Sequence, residues 1–234
     1  SNGASLASTG QVNTTAGISV VVYTGTSAAA TVYHGMTREP YMIFTKPLES
    51  ASGASGNDWR CYHRYAADSN PWQKYVILNS SGSINTWLDW NNTQPTSSVF
   101  SVGGMNTTWT TCENNIDYIA YCFAPVAGYS AMGLYTGSSG GPFVYTGFRP
   151  AFFLLKRRDN SASWYIFDNA RDPYNEVTGG LRPNSNVVEQ AYNVSFLSNG
   201  VLIESSSDGD INGSGAGYMW YAVAESPFKT ARAR

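Results

Sequence analysis

Charge is what this chain has least of. Only 13% of its 234 residues are Asp, Glu, Lys or Arg, and the net charge is −2. A partner rich in phosphate is excluded on that ground, since neutralising a nucleic-acid backbone takes a basic face. The densest cationic stretch is Lys156-Arg157-Arg158. On a strand its side chains alternate between faces, which reads as a solvated strand end. Cysteine is scarce too: Cys61, Cys112 and Cys122 cannot all pair, and none shows metal-ligand spacing. Cys122 reads as a small core residue, and Cys61 with Cys112 could form one bridge, which the sequence leaves open. There is no run of about 20 apolar residues, so no helical membrane insertion is expected. The two histidines, His34 and His63, fall on separate expected strands without a Gly-x-Ser-x-Gly nucleophile motif.

What the chain has instead is aromatic and turn-forming residues. Aromatics make up 14% of it, with 16 Tyr and 23 Gly. Short runs rich in Val, Ile, Tyr and Thr between Gly, Asn and Asp turns predict strands throughout. The expected strands are 18–23, 30–34, 41–46, 59–64, 75–78, 99–102 and 118–123, then 141–145, 151–156, 164–167, 195–197, 201–205 and 218–224. Helix is limited to a short turn near Pro71–Lys74 or Asp172–Asn175. Residues 1–16, rich in Ser, Thr, Gly and Asn, read as a linker or arm. The chain does not begin with Met and opens without a signal-like segment, and is expected to be a fragment, or the processed C-terminal part, of a longer polypeptide.

The sequence also repeats itself. Tyr23-Thr24-Gly25, Val32-Tyr33-His34-Gly35 and Pro40 return as Tyr135-Thr136-Gly137, Val144-Tyr145-Thr146-Gly147 and Pro150. Lys46 matches Lys156, Trp59 matches Trp164, and Tyr118 matches Tyr218. A spacing near 100 residues means two domain-sized units rather than a solenoid. The expected fold is all-β: two tandem homologous β-sandwich-like units related by internal duplication, residues 17–128 and 129–234, the second with a short C-terminal tail.

These motifs carry a resemblance. Gly147-Phe148-Arg149-Pro150-Ala151-Phe152, Trp164-Tyr165-Ile166-Phe167-Asp168, Phe196-Leu197-Ser198-Asn199-Gly200 and Tyr221-Ala222-Val223-Ala224-Glu225-Ser226-Pro227-Phe228 follow one another in order. With the repeated Tyr-Thr-Gly and Val-Tyr-x-Gly, they resemble the duplicated C-terminal domain of bacteriophage tail fibre and tail-spike proteins of the marine phage type. The resemblance implies a virion-surface, extracellular appendage, a homotrimer attached to other virion proteins through its N-terminal side. It also implies attachment to a host cell-surface polysaccharide or outer-membrane component, without catalysis and without a cofactor. Two alternatives stay open: a structural or decoration protein of the virion with no specific ligand, and a polysaccharide depolymerase.

Individual residues sharpen that expectation. Trp87, Asp89, Trp90 and Asn91 put two indoles, a carboxylate and an amide into one turn-bounded segment. Indole faces stack on pyranose rings while Asp and Asn bond their hydroxyls, so this is the first candidate glycan site. Tyr165, Arg171, Asp172 and Tyr174 form a comparable set in the second half. Each set has a structural alternative, with the aromatics packed inside a unit or between chains. Trp59 and Trp164 are expected core anchors. Asp208-x-Asp210-x-Asn212-Gly213 copies the start of an EF-hand loop, but Met219 stands where its bidentate Glu belongs, so a turn is expected and no metal site. No acid pair falls in a recognisable catalytic strand motif, and no enzyme activity is expected.

Overall fold

Apolar runs broken by turn chemistry fold into seventeen strands among the described residues. The computed structural model describes residues 3–49, 57–103, 111–204 and 209–228. The chain divides into two compact units: Ser1–Leu78 with Ile84–Ala124, and Asn79–Ser83 with Pro125–Arg234. The sequence places that boundary between 128 and 129 and carries no signal for the exchange of 79–83.

The first unit contains β1 (Ser8–Asn13), β2 (Ile18–Thr24), β3 (Ala30–Tyr33), β4 (Met42–Pro47), β5 (Arg60–His63), β6 (Lys74–Ile77), β7 (Asn85–Thr86), β8 (Val99–Val102) and β9 (Asp117–Phe123). Seven of these form one sheet in the order β1-β2-β9-β4-β5-β6-β7, and β3 pairs with β8 in a second. The stretch expected to be a linker or arm is not free. Its Ser8–Asn13 runs antiparallel to β2 as the edge strand β1. Among the described residues a single 3-10 turn, Pro71–Gln73, falls within the expected Pro71–Lys74 turn.

The second unit contains β10 (Ser130–Thr136), β11 (Phe143–Tyr145), β12 (Pro150–Arg157), β13 (Trp164–Asp168), β14 (Val177–Gly180), β15 (Gln190–Leu197), β16 (Gly200–Ile203) and β17 (Gly217–Ala224). Its main sheet runs β10-β17-β12-β13 and its second sheet β11-β16-β15-β14. In both units, then, the main sheet sets the first long strand beside the last, followed by the pair that comes after the second sheet's opening strand. The fold is all-β, with its sheets in a sandwich-like arrangement. One core joins Tyr135, Phe153, Tyr165 and Trp220 to Val144, Val194, Phe196 and Val201 across the two sheets of the second unit. In the first unit Val21, Ile43, Tyr62 and Tyr118 meet Val32, Phe100 and Val102. Each such side chain contributes roughly 1.5–3 kcal/mol by leaving water.

A tyrosine pair closes one end of each core. Tyr23 lies directly opposite Tyr118, rings stacked at 5.4 Å, and its hydroxyl donates to Thr111 O at 2.7 Å. Tyr135 lies opposite Tyr218, stacked at 4.8 Å, and donates to Ile211 O at 2.6 Å. Period-2 alternation delivers the rings to the core, and the hydroxyls tie down the returning loop. Lys156 departs from the solvated strand end expected of it. It is fully buried, donates from Nζ to Ala162 O at 2.5 Å, and burial lowers its ammonium to about 8. Lys156 lies on the face of β12 opposite the core residues Phe153 and Leu155, in a row with buried Trp164 and Met219, and Ser81 O also accepts from its Nζ at 3.4 Å.

Candidate functional site

The segment 87–91 is clamped by backbone contacts that decide where its side chains go. Gly103 N donates to Asp89 O at 2.8 Å and Thr111 Oγ1 donates to the same oxygen at 2.5 Å. A Cβ at Gly103 would lie 1.5 Å from Leu88 O, so only glycine permits this approach. Asn91 then turns left-handed at φ 46°. The result separates the expected glycan-binding residues. Trp87 is 46% exposed, whereas Asp89 and Trp90 are buried and Asn91 is half-buried. Trp90 packs edge-on against Tyr62 at 5.8 Å. Asp89 and Trp90 are therefore core residues, and the four do not form one exposed surface.

Asp89 is a carboxyl fully buried in the first unit. Its carboxylate lies 3.5 Å from Arg60 Nη1, whose guanidinium also covers the Tyr75 ring at 4.4 Å. That approach brings charge but no hydrogen bond: among the described residues neither carboxylate oxygen, nor Trp90 Nε1, has a partner. Desolvation pushes the carboxyl up to about 6 against the opposing pull of Arg60.

In the second unit the expected set also divides. Tyr165 is buried, its hydroxyl 2.8 Å from Tyr192 Oη, 2.9 Å from Asp210 Oδ2 and accepting from Arg182 Nε at 2.7 Å. Arg171 donates to Asp168 at 2.7 Å and Glu189 at 2.6 Å. Asp172 Oδ2 accepts from the backbone of Thr178 and Gly179 and so starts β14. These three hold structure, and Tyr174 alone of the four stands out, 83% exposed.

The turn resembling a calcium loop is likewise spent internally. Asp208 lies outside the described residues. Asp210 faces Tyr165 and, at 3.6 Å, Arg182, a cation where a metal would need acceptors. Asn212 accepts from Ser138 N and donates to Ser138 O. Among the described residues no three His, Cys, Asp or Glu side chains are grouped to hold a metal ion. Cys61, Cys112 and Cys122 are all free thiols, buried in the first unit. His34 is buried, its Nδ1 accepting from Met36 N and its Nε2 3.2 Å from Thr96 O; burial lowers its imidazole below the ordinary value. Thr146 does similar local work in the second unit by donating to Phe148 O. Trp164 is a core residue as expected, while Trp59 is half-buried with Lys46 Nζ 5.7 Å from its ring. Trp109 lies outside the described residues.

The surface with the right chemistry lies elsewhere, on the outward face of β11-β16-β15-β14. Alternation turns Val144, Val201, Val194 and Phe196 inward. It turns Phe143 (46% exposed), Tyr145 (68%) and Leu197 outward, with Leu202 half-buried among them. Register aligns Phe143, Leu202 and Ser195 in one row across the strands, and Tyr145, Gly200 and Leu197 in the next. The Phe143 ring lies over Gly200, where a Cβ would come within 2.5 Å of it. Beside these rows Ser195 Oγ donates to Glu204 Oε1 at 2.5 Å, and exposed Asn193 accepts Glu204 N through its backbone oxygen. A hydrogen bond to Glu204 raises the carboxyl of exposed Glu176 above its ordinary value. The sequence does not point to Phe143, Asn193 or Glu204 as binding residues; Tyr145 enters there only through the repeated Val-Tyr-x-Gly motif, and Glu176 only as a carboxylate outside any recognisable catalytic motif. The available signal is the period-2 placement of two aromatics around Val144 in an expected strand.

Neither among curated proteins nor among solved structures does the chain have a match. A family model does match it, over residues 1–227. The chain thus belongs to the family described as DUF7483, a domain of unknown function.

Proposed function

We propose that this domain is an attachment module of a bacteriophage tail fibre, exposed on the virion and binding a cell-surface glycan without catalysis. One observation carries the glycan reading: the outward face of β11-β16-β15-β14 carries exposed Phe143 and Tyr145, with Glu204 and Asn193 in the row next to that of Phe143 and Glu176 hydrogen-bonded to Glu204. Aromatic faces take the apolar side of a pyranose, and carboxylates and amides bond its hydroxyls. The two carboxyls favour a neutral or cationic glycan over a polyanionic one. The fibre assignment rests on the ordered motifs of the sequence. So do the homotrimer and the descent of both units from one duplicated ancestor, which the shared order of the main sheets supports. A trimer would present three weak sites together and gain by avidity.

A depolymerase draws less support. Its two carboxyls need a gap of about 5–5.5 or 6.5–9.5 Å around the sugar. Glu176 and Glu204 instead share a hydrogen bond on an exposed face.

The test is binding of the whole chain to a panel of purified bacterial surface polysaccharides, native and periodate-oxidised, with released oligosaccharide read from the same samples. Saturable binding that oxidation abolishes, without sugar release, is the expected result. Glu204→Gln and Tyr145→Ala are expected to weaken it tenfold or more, and Trp90→Phe to leave it unchanged. Binding untouched by Glu204→Gln would remove this face from the reading, and released oligosaccharide would replace attachment with depolymerisation.

A further inference from the structure

The outer edge of the second sheet is treated differently in the two units. In the first, Thr31 O accepts from Ser5 N at 3.1 Å and Leu6 N at 3.0 Å, and Thr31 N donates to Ser5 Oγ at 2.9 Å. Ser8 Oγ donates to Tyr33 O at 2.9 Å, and Leu6 forms a parallel bridge with Val32. Residues 5–8 thereby occupy the backbone groups that β3 turns away from β8. In the second unit β11 holds the corresponding place at the edge of its sheet. Ile203 N donates to Pro142 O and Thr146 N to Asn199 O. In an antiparallel ladder this directs the backbone of Pro142, Val144 and Thr146 towards β16, and that of Phe143 and Tyr145 outward. Among the described residues the N–H and C=O groups of Phe143 and Tyr145 meet no partner.

We propose that β11 is a self-pairing edge, joining a second copy of this chain antiparallel about Val144. Centred there, Phe143 of each copy exchanges both backbone hydrogen bonds with Tyr145 of the other, and two four-stranded sheets become one of eight. Three features select a second copy as the occupant. The strand Phe143-Val144-Tyr145 is self-complementary, because antiparallel pairing sets Phe143 against Tyr145 twice on the outward face, as cross-strand aromatic pairs. It carries none of the charges that guard an edge against pairing. Finally, a twofold contact at this edge occupies the β11 strand of both copies and closes, while residues 5–8 are already engaged on β3. The contact is twofold and separate from any threefold assembly of a fibre, and it does not depend on the glycan reading.

Sedimentation equilibrium with hydrogen–deuterium exchange on the whole chain tests it. The expected result is a mass that doubles with concentration while the amides of Phe143 and Tyr145 gain protection in step. Phe143→Pro deletes an outward donor without touching the ladder to β16, and Tyr145→Lys sets two like charges across the axis. Either is expected to weaken association at least tenfold. Exchange at 143 and 145 that ignores concentration overturns the proposal, whatever happens to the variants' folding. So does association that both folded variants retain. A lost glycan signal with intact doubling would count against the attachment reading alone.

Discussion

Both units lay out their main sheets alike and then spend their remaining chain in opposite ways. The first keeps a second sheet of two strands and covers its edge with residues 5–8. It draws its additional tryptophan Trp90 inside and packs Trp72 against the core. The second widens its second sheet to four strands with β14 and β15, and among the described residues nothing pairs with its β11 edge. Tyr145 is 68% exposed where Tyr33, at the same place in its strand, is 36% exposed. A sheet's face and its edge are separate resources: chain that covers one unit's edge leaves the other's to carry contacts. On the proposed attachment reading, recognition falls to the second unit and the first serves as scaffold.

The largest expected break in this comparison comes from the aligned tryptophans. Trp164 is 1% exposed, and its loss leaves a cavity; Trp164→Ala is expected to destabilise by about 3–5 kcal/mol. Trp59 is half-buried between Tyr121 and the Lys46 ammonium. Trp59→Ala is expected to cost only about 1–2 kcal/mol, since much of the ring already meets water. Urea unfolding followed by region-resolved hydrogen exchange reads both, and equal costs would mean that the two units use this position alike.

That asymmetry also marks where sequence reading stops. Strands with alternating burial, such as β2 and β9, are legible because Val21 and Tyr23 in one and Tyr118, Ala120 and Cys122 in the other line the buried face. β10 is not: Ser130-Ala131-Met132-Gly133-Leu134 lacks β-branched residues, and it becomes a strand because β17 lies along its whole length. β1 is exposed along nearly its whole length, with Val12 as its one large apolar residue, and forms by pairing with β2. The site was less legible than the fold. Trp87, Asp89 and Trp90 look like a surface cluster in composition, but the contact of Leu88 with Gly103, fifteen positions on, turns two of them inward. Long-range backbone contacts of this kind leave no local pattern. Tyr165 and Arg171 have the residue types of a binding site, and Asp210, Arg182, Asp168 and Glu189 already satisfy them.

Acid is expected to act on the two units with opposite signs. Burial raises Asp89 in the first unit to about 6 from an ordinary 3.8. Its contribution is therefore fully present below pH 3.8 and is lost as pH rises through about 6. Against Asp89→Asn, the wild-type chain is expected to gain on the order of 3 kcal/mol between pH 7.5 and 4. The variant comparison is needed because His34, whose imidazole burial holds neutral, loses stability as pH falls through 6.5. In the second unit burial raises Asp168, but its hydrogen bonds and charge contact with Arg171 prevail and lower it. That contribution is present above pH 3.8 and is lost as pH falls through the folded value. Denaturant midpoints measured every half pH unit, with exchange resolved by unit, would show the divergence. A wild-type minus variant difference that stays flat across pH 6 would mean that Asp89 is not held as a buried charge.

The smallest effect separates edge from face most cleanly. Leu6 is half-buried against the first core and aligns residues 5–8 on β3. Leu6→Ala removes part of a side chain already partly in water, so its cost is expected to be about 1–2 kcal/mol, below that of a fully buried leucine. Its signature is local: the Thr31 amide, which donates to Ser5 Oγ, should exchange faster, while Val32, bonded inward to β8, should not. Thr31 would then resemble Phe143 and Tyr145 in a dilute sample, an edge open to solvent. If Thr31 keeps its protection in Leu6→Ala, the backbone and serine hydrogen bonds alone hold the segment. The difference between the units would then lie in the presence of the segment rather than in its apolar anchor.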